Sequence, residues 1–209
     1  LAKCIAGILR PDSGSIAVNG TEVHITSPHH ARDLGIETVH QGLALVQKLD
    51  VASNLFLNRE ILHRNRLLRT IGWLDKKAMQ RQSLEILARI GARVPSGSQP
   101  VQRLSGGQRQ AVAIGRAVGC GRNIVLMDEP TAALGVEQSR HVNELIRKLR
   151  DQGVAVLLIS HNMQHVIETC DRAVVLRHGG KVGDLRVADA TARDLVDLIT
   201  GAAEGVAVA

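Results

Sequence analysis

Four short strings in the 209-residue sequence carry side chains and backbone able to do chemistry. The first is Leu104-Ser105-Gly106-Gly107-Gln108-Arg109-Gln110, which runs straight into Ala111-Val112-Ala113-Ile114-Gly115-Arg116-Ala117-Val118. The second run has apolar residues at helical spacing, so Ser105, Gly106 and Gly107 fall where a helix begins. A helix N-terminus offers unpaired N–H groups and a partial positive charge, and together these bind anions. Without Cβ atoms, Gly106 and Gly107 let a bulky phosphate come close to the backbone. Ser-Gly-Gly by itself favours a plainer reading, a Ser-capped surface helix after a Gly-rich turn; the full seven-residue string is far more specific. The second string is Ile124-Val125-Leu126-Met127-Asp128-Glu129-Pro130-Thr131, an apolar run ending in two acids. It reads as a buried parallel strand, with Asp128 and Glu129 at its carboxyl end, where open α/β sheets bind ligands. The third is the short strand Gly35-Ile36-Glu37-Thr38-Val39-His40-Gln41, ending in Gln41. The fourth is Val154-Ala155-Val156-Leu157-Leu158-Ile159-Ser160, a second buried strand followed by His161. A lone Gln or His after a strand is weak evidence, and a structural strand-end residue reads the same way; their order around the other two strings strengthens both.

The elements needed to position these strings are legible. Leu1–Leu9 reads as the tail of an amphipathic helix that Gly7 and Pro11 help to end. Ser15–Val18 and Thr21–Ile25 flank Asn19-Gly20, a strong hairpin signal. Asp50 is placed to cap a helix over Val51–Leu57. Asp75 is placed to cap one over Lys76–Ile90, with Met79, Leu84, Leu87 and Ile90 on the buried side and Gly91 ending it. Between them the basic, amphipathic stretch Arg59–Arg66 reads mostly as a solvated face. A loop over Val94–Pro100 returns the chain to Leu104. Beyond the second string come an amphipathic helix over Glu137–Asp151, a closing hairpin over Arg172–Arg177 and His178–Val182, and a final helix over Thr191–Ile199 with Thr191 as its cap.

Composition narrows the function classes. Aromatic residues are 1% of the chain, Phe56 and Trp73 alone, so the core must be aliphatic and stacking platforms for nucleic acid are lacking. The net charge of +6 suits nucleic acid or an anionic membrane surface, but no dense Lys/Arg run accompanies it. It reads as a solvated surface that also favours nucleotide anions. Cys4, Cys120 and Cys170 are widely spaced with no CxxC, which argues against a metal site and fits a reducing compartment. No apolar run is long enough to span a bilayer, and no signal peptide is visible.

Taken in order, the strings resemble those of the ATP-binding-cassette (ABC) ATPases. Leu104–Gln110 is similar to the signature motif, Ile124–Thr131 to Walker B, Gln41 to the Q-loop glutamine and His161 to the H-loop histidine. The resemblance implies an α/β, P-loop NTPase fold with a parallel core sheet, a small antiparallel β part and an inserted helical subdomain. The parts would be residues 1–41 as the first section of the ATPase core, 42–118 as the helical subdomain with the signature motif, and 119–209 as the second section of the core. It also implies roles. Asp128 would hold Mg²⁺ through water, Glu129 would polarise the hydrolytic water, Gln41 would reach the Mg²⁺ and that water, and His161 would bond the γ-phosphate of ATP. Ser105, Gly106, Gly107 and Gln108 would bind the nucleotide held by a second ATPase subunit.

Two departures matter. No GxxGxGK[ST] loop is present, so the resemblance places Leu1 at or just after its end, and the chain on its own is expected to hydrolyse ATP poorly. It is also expected to leave the Ile124–Asp128 strand unpaired on one side, with aggregation as the consequence. Second, Ala132-Ala133-Leu134-Gly135-Val136 stands where the family usually has SALD, so Gly135 replaces an Asp, and a Gly-Val here resembles importers of ribose, xylose and fructose-like sugars. The expected partners are a second ATPase subunit, a transmembrane permease and a periplasmic sugar-binding protein, without nucleic acid. The expected place is the cytoplasmic face of the cytoplasmic membrane. A soluble, non-transport ABC ATPase and a catalytically inactive remnant are the alternatives.

Overall fold

The computed structural model describes residues 1–40, 42–119, 121, 123–132 and 134–202. Helices and strands are interspersed along the chain, with two strand pairs and, after the third strand, four α-helices in succession. They are α1 (Ala2–Ile5), β1 (Ile16–Val18), β2 (Thr21–Val23), α2 (Pro28–Asp33), β3 (Ile36–Val39), α3 (Val51–Leu55), α4 (Arg66–Thr70) and α5 (Lys76–Arg89). Then come α6 (Gly106–Val118), β4 (Ile124–Asp128), α7 (Val136–Asp151), β5 (Ala155–Ile159), α8 (Met163–Thr169), β6 (Arg172–Arg177), β7 (Gly180–Arg186) and α9 (Ala192–Thr200). The chain divides into two compact units, Leu1–Leu157 and Leu158–Ala209.

In the first unit, β1 and β2 pair antiparallel with Val18 opposite Thr21. Asn19 and Gly20 both have positive φ, 52° and 78°, the conformation a two-residue hairpin turn requires and the reason Asn-Gly stands there. The hairpin packs with α2 and β3 through Val18, Ile25, Ala31 and Ile36. The core sheet has the order β3-β4-β5. β3 and β4 are parallel, in a register that sets Ile36 against Ile124 and Val39 against Met127. Val125, Leu126 and Met127 are buried on both faces of β4, as an interior parallel strand demands. The core is aliphatic, its largest fully buried side chains being Leu, Ile, Val and Met, whereas Trp73 is 60% exposed.

Four expectations are corrected. β4 is the middle strand, so it is not the one left unpaired on a side. β5 lies at the end of the order and is only partly covered, with Leu157 exposed, so it is not a second buried strand. The helix at the start stops at Ile5, because Gly7 takes a left-handed φ of 73° and leaves Ile8 and Leu9 on the surface. On α5, Met79 and Leu87 are buried, as is Ile90 at its C-cap, but Leu84 is exposed; its neighbour Ser83 is inside instead. The reason is a close crossing: a Cβ on Gly97 would lie 2.9 Å from both the Gln80 carbonyl and the Ser83 hydroxyl, so the backbone of the returning loop fits there only over a small side chain. Both predicted aspartate caps form. Asp50 accepts from the Ser53 amide at 2.7 Å and Asp75 from the Ala78 amide at 2.9 Å.

In the second unit, β6 and β7 pair antiparallel, and Ala173 and Val175 join Val187, Leu195 and Leu198 in one aliphatic cluster. β7 runs on past Val182 to Arg186, where Asp184 receives two 2.6 Å bonds from the Arg172 guanidinium across the hairpin. Among the described residues, no helix is long and apolar enough to cross a membrane.

Candidate functional site

The signature string folds as its residues dictate. Ser105 is the N-cap of α6: its hydroxyl accepts from the Gln108 amide at 3.2 Å, and the Gln108 side chain accepts from the Ser105 amide at 3.0 Å. This reciprocal capping box satisfies two donors of the first turn. Arg109 closes the turn behind it by donating to the Leu104 carbonyl at 3.0 Å. The amides of Gly106 and Gly107 have no acceptor among the described residues, and the first turn holds no acidic residue. The result is a rigid helix start whose two remaining donors are both on glycines and whose positive end is not neutralised from within. Gly106 has a second reason to be glycine. A Cβ there would stand 3.0 Å from the Leu134 side chain and 3.2 Å from that of Gln138, so the chain after β4 packs directly against this position.

Asp128 is the last residue of β4 and is partly buried. Glu129 has φ of +50°, a conformation that costs an L-residue about 1–2 kcal/mol. Strain of this kind gathers at functional positions. A tight turn holds it, with the Ala132 amide bonded to the Glu129 carbonyl and the Leu134 amide to that of Thr131. The register of Val39 against Met127 brings the ends of β3 and β4 side by side, so the chain leaving β3 through His40 does so at the edge where Asp128 stands. Gln41 itself lies outside the described residues. Gly135 is the N-cap of α7, with an ordinary φ of −70° and nothing within 4 Å of where a Cβ would be, so space does not exclude the aspartate usual in the family. Ala133 also lies outside the described residues. His161 belongs to the second unit, exposed in the turn between β5 and α8, where Asn162 donates to the Ser160 hydroxyl and caps α8 by accepting from His165.

Two further residues, which hold the segment over 43–50, are not singled out by the sequence reading. Asn54 on α3 is fully buried. Its amide oxygen accepts from Val46 N at 2.8 Å and its amide nitrogen donates to the carbonyls of Val46, Leu49 and Asp50. Arg116, in the last turn of α6, donates to the carbonyls of Ala44 at 2.7 Å and Leu43 at 3.1 Å. Burial lowers its pKa from the usual arginine value, while the Glu37 carboxylate works the other way. Glu37 in turn bonds Arg59 at 3.1 Å, so Arg59 is not part of a solvated face as its sequence context suggests. The signals were there in outline, a polar Asn inside an apolar helix and a charge inside an apolar helix end, but their acceptors are backbone atoms that no sequence pattern marks. The segment they hold is also laced to the approach to the signature, through Gln102 N to the Gln47 carbonyl at 3.0 Å and Val101 N to that of Leu49 at 3.0 Å.

This geometry fits a nucleoside polyphosphate. An acid-free helix start with two glycine amides suits phosphate oxygens, and two carboxylates at a strand end suit a hard cation and a water. Comparison with known proteins agrees. Residues 1–132 match the family model described as ABC transporter. The fructose import ATP-binding protein FrcA of Rhizobium meliloti is 44% identical over 205 residues, 98% of this chain and 79% of that protein. The xylose/arabinose import ATP-binding protein XylG of Sulfolobus acidocaldarius is 40% identical over the same shares. The ribose import ATP-binding protein RbsA 1 of Rubrobacter xylanophilus is 39% identical, and the chain covers 38% of its length. Among solved structures, the ADP conformation of the ATP-binding cassette MJ1267 superposes with a TM-score of 0.74 at 20% identity, over 95% of this chain and 77% of that one.

Proposed function

The chain belongs to the ABC transporter family as an ABC-type ATPase domain, and from that premise we propose that it powers uptake of a sugar. The observation that carries the site assignment is the start of α6, a closed capping box that leaves the Gly106 and Gly107 amides without an acceptor among the described residues, with no acidic residue in the first turn. The sugar reading is supported by three relatives named for import of fructose, xylose/arabinose and ribose.

In this reading residues 1–41 and 119–209 form the two sections of the ATPase core and 42–118 the helical subdomain. ATP with Mg²⁺ supplies the transferable phosphoryl group and the charge that holds it. Ser105, Gly106 and Gly107, with Gln108 fixing their geometry, present amides to the nucleotide of a second copy. Asp128 would hold the cation through water, the phosphates supplying the other ligands that Mg²⁺ commonly takes; no group of three or more His, Cys, Asp or Glu among the described residues could cage a metal by itself. Glu129 takes the proton of the attacking water, Gln41 orients that water, and His161 donates to the departing phosphate. A dimeric assembly is supported by the solved dimer of the cassette MJ0796 with ADP and phosphate, which matches with a TM-score of 0.68 at 20% identity over 89% of this chain. The pair would work peripherally at the cytoplasmic face of the membrane, against a permease fed by a periplasmic sugar-binding protein.

Glu129→Gln in the full-length protein tests this. Turnover should fall by about 100-fold or more while ATP binding persists, because the amide keeps the shape but takes no proton. ATP and Mg²⁺ should then trap a dimer on size-exclusion chromatography. A protein that remains monomeric with ATP, or keeps its turnover, sinks the assignment of Glu129.

A further inference from the structure

The loop that follows Gln41 contains a conformation its residues do not choose for themselves. Leu43 and Ala44 are consecutive non-glycine residues with φ of 58° and 46°. The Ala44 amide bonds back to the Gly42 carbonyl at 2.7 Å, closing a three-residue turn around Leu43 with the sign of φ that is rare and strained. L-residues adopt this region rarely, and two in succession persist only where the surroundings over-determine them. The surroundings here include one arginine. Arg116 reaches across 72 residues of sequence and places one guanidinium nitrogen on the Ala44 carbonyl and another on that of Leu43. The far side of the same loop is held independently by the four bonds of Asn54.

The chemistry of the contact requires arginine. Two carbonyls on adjacent residues need two donors at fixed separation, which a planar guanidinium offers and a lysine ammonium does not. The place of Arg116 is equally specific. It is in the last turn of the helix that begins with Ser105, and Ala111, Val112, Ala113, Ile114, Gly115 and Ala117 bury that helix along its length. Such a helix moves as one body, and at 1.5 Å per residue Ser105 and Arg116 are about 17 Å apart along it.

We propose that Arg116 is the positioning residue for the loop after Gln41: it holds Leu43 and Ala44 left-handed and makes that loop follow the helix whose other end is the Ser105-Gly106-Gly107 anion site. Its catalytic consequence rests on the ATPase reading above; its structural consequence does not. When a second subunit's nucleotide docks at Gly106 and Gly107, the shift of α6 is delivered to the loop behind Gln41 without a separate moving part. In the ATPase reading, the work assigned to Gln41 depends on that link through residues 43 and 44.

The test uses the full-length protein with Arg116→Lys, alone and in a Leu43→Gly, Ala44→Gly background, where the left-handed turn needs no holding. Arg116→Lys alone should speed hydrogen exchange of the amides at 43–46 at least tenfold and leave the buried amides of α6 unchanged. It should lower kcat about tenfold, with the KM for ATP within twofold. In the glycine background the same substitution should cost less than twofold in kcat. An equal loss in both backgrounds would mean that Arg116 acts by packing, and it overturns the proposal, as does unchanged exchange at 43–46. Should Arg116→Lys fail to fold in the native background, the glycine background must restore folding, and failure to restore it also overturns the proposal. The exchange arm needs no turnover, so it decides this question even where Glu129 proves not to be the base.

Discussion

Two helices of this protein begin with the same device and differ in one charge. α6 and α9 each start with a reciprocal capping box, Ser105 with Gln108 and Thr191 with Asp194. In α9 the third residue is a carboxylate. Bonds from the Thr191 amide and then its hydroxyl lower the pKa of Asp194, and the positive end of the helix is neutralised from within. In α6 the corresponding residue is a neutral amide, the two residues before it are glycines, and no acid lies in the first turn. The start of α9 is complete; that of α6 is equally well capped and still short of a negative charge. A capping box therefore says where a helix begins, and the charge of its third residue says whether that beginning is free to take an anion.

The comparison breaks most sharply if α6 is made to resemble α9. Gly106→Asp puts a carboxylate where the partner's phosphate would dock and a Cβ against Leu134. In the full-length protein, ATP-driven pairing should be lost and turnover should fall about 100-fold or more, with ATP binding by the single subunit retained. Mixed dimers carrying one altered subunit should keep no more than one working site; two working sites would refute a shared site. Gln108→Asp is milder, since it reproduces the Ser-x-x-acid box without a clash. It should leave thermal stability unchanged or a few tenths of a kcal/mol higher and weaken ATP-dependent pairing about tenfold, read by analytical ultracentrifugation. Removing each cap sharpens the contrast. Ser105→Ala and Thr191→Ala should each cost about 1 kcal/mol in denaturant titration, yet only Ser105→Ala should also lower turnover.

The smallest expected effect is an acid limb confined to the second unit. Asp194 is depressed by Thr191, and the Arg172 guanidinium lowers Asp184 to about 2. A carboxylate with a depressed folded-state pKa contributes stability in full above its unfolded value, roughly 3.9, and loses it as pH falls through the folded value. Amide exchange at the start of α9 and in the β6–β7 hairpin should therefore accelerate between about pH 4 and pH 2. The first turn of α6, capped by a neutral glutamine, should not show this step; a matching acid limb there would mean that its order comes from another source.

Much of the fold was readable in advance, and for a common reason. Asp50, Asp75, Ser105 and Thr191 cap helices where their positions say they should, the Asn19-Gly20 hairpin closes in register, and Ile124–Asp128 is a buried strand that ends at its acids. Each depends on bonds spanning two to four residues or on a run of apolar side chains, so little outside the segment can alter it. The candidate site was half legible in the same way. Ser105, Gly106, Gly107, Asp128 and Glu129 announce themselves by type and order.

What the sequence alone determined is therefore local structure: a helix capped by Ser105 with two glycines in its first turn, a strand that ends at two carboxylates, and an aliphatic core without aromatic platforms. Only the tertiary structure decided which distant atoms complete them. Arg116 finds the Leu43 and Ala44 carbonyls, Asn54 satisfies four backbone groups of the next turn, Gly106 is pressed by Leu134, and Ser83 displaces Leu84 from the buried face under Gly97. The physical reason is the same in each case. A backbone carbonyl or a crossing loop leaves no mark in residue type, so its partner is chosen by which surfaces packing brings together, and that choice is made by the whole fold.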